Sequence, residues 1–391
     1  MTPSPESPPR LEAPPLGLYV HLPWCVRKCP YCDFNSHALR GELPTAAYVD
    51  ALLADLEQDL PLAWGRTVAT VFLGGGTPSL FPGREIDRLL AGIRARVRLH
   101  PAAEVTLEAN PGAVERDRFE AYRAAGVTRV SLGVQSFDDE MLRRIGRIHD
   151  GEAARAAARD VARAGFDQFN IDLMYALPGQ SPEGARRDVA MALDLGPTHV
   201  SHYQLTLEPN TLFAAEPPAL PDEDDSAAMQ DAAGALLEAA GFRQYEVSAW
   251  AKPGRECRHN LNYWRYGDFL GVGAGAHAKV TDTAGQRVLR LSKERHPKRY
   301  LAARATGAFR AEERALEPAD RVFEFFLNQL RLRDGVDLGQ LGPRAGVAES
   351  EVAQAVAAAC GRGLLERHGD RLVPTALGWR FVNEAQQLFL P

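Results

Sequence analysis

The sequence predicts an α/β protein: a partial (β/α)6, TIM-like barrel followed by a small C-terminal α+β module of winged-helix type. Three observations predict it. Six short apolar, β-branched runs alternate with helix-period segments between residues 17 and 205. Most of these runs stop at glycine, proline or a polar residue, as strand ends bearing functional loops do in β/α barrels. The alternation lapses beyond residue 210, and the last hundred residues read as two helices and a hairpin.

The elements follow in order. Residues 1–16 carry six prolines and are expected to be a disordered tail. Gly17–Leu22 is the first strand. Tyr48, Leu52, Leu53, Leu56 and Leu60 share one helical face. Val68–Leu73 is a strand running into Gly74-Gly-Gly-Thr-Pro78, with a helix near 84–97. Glu104–Ala109 precedes a helix over Arg116–Ala125 that stops at Gly126. Arg129–Val134 precedes an Ala-rich helix over 151–164, closed by Gly165. Phe169–Leu173, a helix over Pro182–Leu195 and the strand His199–Leu205 complete the units, and this order implies parallel strands with right-handed crossovers. A helix is expected over Ser226–Ala240 and a strand over Gln244–Trp250. In the final module helices near 316–332 and 349–360 precede a hairpin over Leu364–Val373 with Gly369-Asp370 at its turn. The expected domains are the tail, a barrel with its extension over 17–290, and the module over 291–391.

Composition narrows function. Net charge is −6 and the pI is about 6.0, against a broad nucleic-acid surface. The final module, from residue 340, has five Lys/Arg and five Asp/Glu, so a packing or lid role is expected rather than DNA binding. No apolar run approaches the roughly 18 residues of a transmembrane helix. No secretory signal pattern stands at the N-terminus, and a cytoplasmic location is expected.

The chemistry concentrates in Cys25-Val-Arg-Lys-Cys29-Pro-Tyr-Cys32, which holds three of the five cysteines. Thiolates this close can share one iron–sulfur cluster, and a cubane with three protein ligands leaves one iron free. The alternatives are a zinc site recruiting His21 or His37, for which no second ligand pair exists, and a disulfide, for which nothing suggests the compartment. The spacing resembles that of radical S-adenosylmethionine (SAM) enzymes. The resemblance implies a [4Fe–4S] cluster on Cys25, Cys29 and Cys32. It also implies SAM on the open iron and reductive cleavage of its sulfonium to a 5′-deoxyadenosyl radical.

Further segments carry a narrower resemblance: Tyr19-Val-His-Leu-Pro-Trp-Cys25, Gly74–Pro78, Leu107-Glu-Ala-Asn-Pro111, Gly133-Val-Gln-Ser136, Arg147 and Ile171-Asp-Leu-Met-Tyr-Ala-Leu-Pro178. Together they resemble the anaerobic coproporphyrinogen III oxidase (HemN-like) family over residues 17–391. That resemblance implies a SAM site lined by Tyr19, Tyr31, Gly75, Gly76, Thr77 and Glu108. Gln135, Arg147 and Asp172 match residues that hold a second SAM in the oxidase. The oxidase has a further cysteine two residues after the third ligand, where this chain has Phe34. The pattern is therefore similar to the haem-chaperone branch, HemW, and oxidative decarboxylation of coproporphyrinogen is the alternative.

The second distinguishing stretch is Cys257-Arg-His259-Asn260-Leu-Asn-Tyr263-Trp264. Histidine is a ready axial ligand for haem iron, and Tyr and Trp offer flat faces to a porphyrin. Composition alone favours a structural histidine. The resemblance associates His259, Asn260 and Tyr263 with haem. Cys257 and Cys360 read as core residues, His277 as a lesser candidate, and one of His199 and His202 is expected to face the barrel interior. The partners implied are haem, an acceptor haemoprotein and an electron donor such as flavodoxin or ferredoxin. No nucleic acid is expected, and membrane contact only through an acceptor.

Overall fold

The computed structural model describes residues 9–112 and 118–390. Its main sheet has twelve strands: β1 (Leu16–Leu22), β2 (Thr67–Gly75), β3 (Arg98–Ala109), β4 (Arg129–Gln135), β5 (Phe169–Tyr175), β6 (His199–Gln204), β7 (Arg243–Glu246), β8 (Ala249–Ala251), β9 (Asp268–Val272), β10 (His277–Asp282), β11 (Arg287–Lys293) and β12 (Arg310–Ala315). They lie in the order β12-β11-β10-β9-β1-β2-β3-β4-β5-β6-β8-β7, so the sheet is open. Strands β1 to β6 are parallel neighbours in chain order, and β9 adds a parallel strand on the other side of β1. Crossover helices cover this sheet, so its central strands are buried on both faces rather than alternating; β4, which carries Arg129, Ser131 and Gln135, is buried at all seven positions.

The expected crossover helices are present as Thr45–Asp59, Gly83–Arg96, Phe119–Ala125, Gly151–Arg163 and Pro182–Asp194. The caps explain their limits. The Asp150 carboxylate accepts from Ala153 N and the Ser181 hydroxyl from Gly184 N, while Gly126 ends its helix at a φ of 101°. The expected helix start at Arg116 lies outside the described residues.

Three expectations change. The segment Gln244–Trp250 is a hairpin, β7 and β8 joined at Val247-Ser248, not one strand. The sheet runs on through β10, β11 and β12, so the expected division at 290/291 falls inside β11. The tail expected over 1–16 is ordered from residue 9, and its first eight residues lie outside the described part. Leu11 is 4% exposed against Val288 and Leu316, and its N–H donates to Gln286 at 2.8 Å. One inserted leucine and one backbone hydrogen bond outweigh the proline content.

A buried ionic knot ties the extension to the barrel. Lys293 Nζ lies 2.5 Å from Asp55 and 2.6 Å from Asp59, all three side chains fully buried. Arg310 reaches Asp59 at 2.8 Å, and the Tyr300 hydroxyl donates to Asp55 at 2.6 Å. The C-terminal module has its own core, including Phe325, Phe326, Val352, Leu372 and Phe389, and takes Tyr266 from the barrel into it. Its longer helices are Pro318–Gln329 and Glu349–Gly361, with short helices at Leu341–Ala345, Ala376–Arg380 and Val382–Gln387; Leu365–His368 and Arg371–Pro374 form the hairpin, and Arg371–Pro374 also pairs with Val336–Asp337.

Candidate cluster and cofactor site

Strand β1 ends at Leu22 and releases the cysteine loop at the carboxyl edge of the sheet. The loop is closed on itself: Trp24–Cys25 pairs with His37–Ala38, and Cys32 N donates to Cys29 O at 3.2 Å. Asn35 anchors its far side. Its side-chain amide donates to Ala274 O at 2.8 Å and Arg295 O at 2.9 Å, and its backbone carbonyl accepts from His21 Nε2 at 3.0 Å. The same Gly273–Ala274 turn donates to Asp55 and to the Tyr48 hydroxyl, so the ionic knot supports the loop. His21 is held between Tyr19 and Asn35, and burial pushes its pKa down to about 4. Both its ring nitrogens are engaged, so it is a structural group and not a spare zinc ligand.

All five cysteines are free. Among the described residues no three His, Cys, Asp or Glu side chains converge tightly enough to hold a single metal ion. A cubane presents its irons at separate corners, so three thiolates need not meet at one point. Cys25 and Cys29 line a pocket of about 370 Å³ with Thr77, Asn110, Arg147 and His149. Arg147 donates to Cys29 Sγ at 3.6 Å, to Asn110 Oδ1 at 2.7 Å and to Gly133 O at 2.6 Å. The guanidinium thus faces one of the three sulfurs. Burial raises the Cys25 thiol, with a hydrogen bond from Thr77 opposing it. Cys32 stands outside the lining of this pocket, its Sγ 3.5 Å from Ser36 Oγ; two free thiols at the open space, a third on the same loop and a facing cation fit a three-thiolate cluster.

The Gly74–Pro78 turn forms the neighbouring wall. Gly75 has a φ of +114°, and a Cβ there would stand 2.5 Å from the His21 ring. At Gly76 a Cβ would stand 2.6 Å from Trp24 O, so the turn must pass bare against the start of the cysteine loop. Gly75 N donates to Glu108 at 3.1 Å. Burial, then the charge of Asp172, push the Glu108 carboxyl up to about 7. Tyr31 lies at Cys29 and Arg147, and burial pushes its phenol upward.

The remaining residues of the expected SAM set sit deeper. Gln135 ends β4 at a φ of 69°, a strained backbone that places its amide against the Tyr203 hydroxyl at 2.7 Å. Asp172 is held by Asn170 at 2.6 Å and Ser131 at 3.3 Å, and burial raises its pKa. Asn35, His149 and Tyr203 carry no signal in the sequence, and Asn110 is legible there only as part of the Asn-Pro stretch after β3. His199 faces inward, bonding Asn170 at 2.6 Å and Tyr245 at 2.8 Å, whereas His202 stacks on Tyr175 at 4.6 Å.

The His259 stretch lies at the opposite end of the strands. It forms the helix Arg258–Trp264, beneath Gly17 and Thr70 near the starts of β1 and β2. His259 is 2% exposed. Its Nδ1 bonds Thr70 Oγ1 at 2.8 Å, and its backbone N–H donates to Glu104 at 3.0 Å. Its Nε2 is buried with no partner among the described residues, which leaves one lone ligand atom. Burial lowers its pKa to about 3, so the ring is neutral and fit to ligate a metal. The ring stacks on Phe72 at 5.0 Å and meets Tyr263 edge-on at 4.8 Å, and Phe72 in turn stacks on Tyr19 at 6.2 Å. A row of rings thus joins His259 to the Glu108 wall. Asn260 and Tyr263 are half-buried. Cys257 is a buried thiol on Glu104, pushed up to about 12, and His277 is exposed at the start of β10.

Comparison with known proteins places this geometry. Residues 19–192 match the radical SAM superfamily, and residues 316–381 match the HemN C-terminal domain. The chain is 49% identical to heme chaperone HemW of Escherichia coli (strain K12), covering 97% of this chain and 99% of that protein. It is 45% identical to heme chaperone HemW of Haemophilus influenzae, with the same coverage. Its fold matches a solved structure of Escherichia coli coproporphyrinogen III oxidase (HemN) with a TM-score of 0.81, at 24% identity over 97% of this chain and 91% of that one. Among the described residues no helix is long and apolar enough to cross a membrane.

Proposed function

Because the chain belongs to the family of heme chaperone HemW, within the radical SAM superfamily, we propose that it binds a [4Fe–4S] cluster, SAM and haem and passes haem to an acceptor haemoprotein. Cys25, Cys29 and Cys32 would hold the cluster. Tyr19, Tyr31, Gly75, Gly76, Thr77 and Glu108 would hold SAM, with Gln135, Arg147 and Asp172 completing the polar interior. His259, Asn260 and Tyr263 would hold haem. An electron donor such as flavodoxin or ferredoxin and a cytoplasmic setting complete the reading, with no nucleic-acid role. Once bound, the cluster and SAM supply one-electron chemistry at the carboxyl edge of the sheet.

The protein's own residues place and shield. Arg147 contacts the Cys29 sulfur, Gly75 and Gly76 let the turn pass against His21 and the start of the cysteine loop, and Glu108 sets a titratable carboxyl beside them. Phe34, 62% exposed, stands where the oxidase resemblance calls for a further cysteine, so decarboxylation is not proposed.

The observation that carries the haem assignment is the unpartnered Nε2 of His259 within an aromatic setting. In anaerobically reconstituted protein, His259→Ala is expected to weaken haem binding by about tenfold or more while the cluster absorbance is unchanged. Equal haem affinity in the variant would show that the site is misplaced.

Glu108 gives a pH dependence. An ionised carboxylate attracts the cationic cofactor, so SAM affinity is expected to rise as pH passes upward through about 7 and to flatten in Glu108→Gln. A titration with the same pH profile for both proteins would remove this role. The sign for stability is opposite. The folded carboxyl keeps its proton from the ordinary carboxyl range up to about 7, so unliganded stability falls as pH rises through that window.

A further inference from the structure

On the outer side of the helix Arg258–Trp264 lies a pocket of about 280 Å³ that none of the roles above uses. Its walls carry three guanidinium groups, Arg258, Arg265 and Arg344, around an apolar floor of Pro15, Ala69 and Leu261. Arg258, Leu261 and Arg265 follow helical spacing, so they share the face opposite His259 and Tyr263. The arginines are short of anionic partners. Arg258 donates to Ala102 O and Arg344 to the neutral Gln340, while Arg265 makes no side-chain hydrogen bond or ion pair among the described residues. The nearby carboxylates do not meet the deficit. Asp268 is already taken by Arg66, Lys279 and Thr281, and Glu12 is exposed. In a chain of net charge −6, three adjacent guanidiniums without carboxylate partners are out of balance.

Thr70, whose hydroxyl holds His259 Nδ1, also lines this pocket. The pocket is therefore one side chain away from the histidine. Its volume is just below the roughly 300–1,000 Å³ of sites that enclose a drug-sized ligand, so it suits the edge of a large planar molecule rather than the whole. Arginine pairs carboxylates in a planar, two-point geometry, and the floor offers an apolar rest.

We propose that this pocket binds the carboxylate-bearing edge of a tetrapyrrole, its propionates on Arg258, Arg265 and Arg344 and its ring face on Leu261. The proposal rests on the haem reading above and adds the surface at which the cargo is first held. It does not require His259 to leave its place.

The test compares ferric haem with ferric haem dimethyl ester, whose propionates are masked, in titrations of the full-length reconstituted protein. Arg258→Gln/Arg265→Gln is expected to bind haem about tenfold or more weakly than wild type, with Arg265→Gln intermediate, and to bind the ester as wild type does. Unchanged haem affinity in the double variant, or an equal loss for haem and ester, would overturn the proposal while leaving the chaperone reading standing. A wild-type protein that bound neither ligand would remove both.

Discussion

Cys29→Ala is expected to lose its cluster iron by about tenfold or more after anaerobic reconstitution while keeping its fold and its haem affinity. Cys29 is the sulfur that Arg147 contacts, and both line the pocket beside the loop. Removing it leaves two thiolates on the loop and a guanidinium with its remaining bonds to Asn110 and Gly133. The loop backbone stays anchored by Asn35 and by the Trp24–Cys25 pairing, so the loss is of a ligand and not of structure. Iron content and charge-transfer absorbance measure it. A variant with wild-type iron and spectrum would mean that the cysteines do not hold the metal.

The second large effect is on stability. Lys293→Met is expected to destabilise the protein by about 3–5 kcal/mol, because the buried Asp55 and Asp59 carboxylates lose their shared ammonium. Arg310 remains on Asp59, but Asp55 keeps only Tyr300 and the Gly273 N–H. Burial already pushes Asp55 upward against the pull of Lys293, so without the lysine its proton is retained further. The damage reaches the metal loop, since the Gly273–Ala274 turn donates to Asp55 and Tyr48 and accepts from Asn35. Urea unfolding is the measurement. An unchanged midpoint would show that the knot is energetically neutral.

Much of this molecule is legible in its sequence because its central sheet is parallel. Strands buried on both faces read as short apolar runs, and the crossover helices between them carry caps at Asp150, Ser181 and Gly126. The cysteine loop is legible because its ligands are local in sequence. Strand β12 is not, since Arg310–Ala315 is a mostly exposed, charged edge that joins the sheet only by pairing with β11. The order of residues 9–16 is equally hidden, because it depends on Leu11 meeting Val288 and Leu316 across the fold. Spacing also cannot give depth. His259 and the cysteines stand at opposite ends of β1 and β2, joined by the Tyr19 and Phe72 rings, and only the strand register reveals this. The role of Asn35 is hidden for a related reason, as both carbonyls its amide meets come from more than two hundred residues away.

The measurement to make first is electron paramagnetic resonance of the reduced, anaerobically reconstituted protein with and without SAM. Three thiolates leave one iron open, so a [4Fe–4S] signal that shifts when SAM is added is the expected result. Protein that carries zinc, takes up no iron, or shows a cluster signal indifferent to SAM would contradict it.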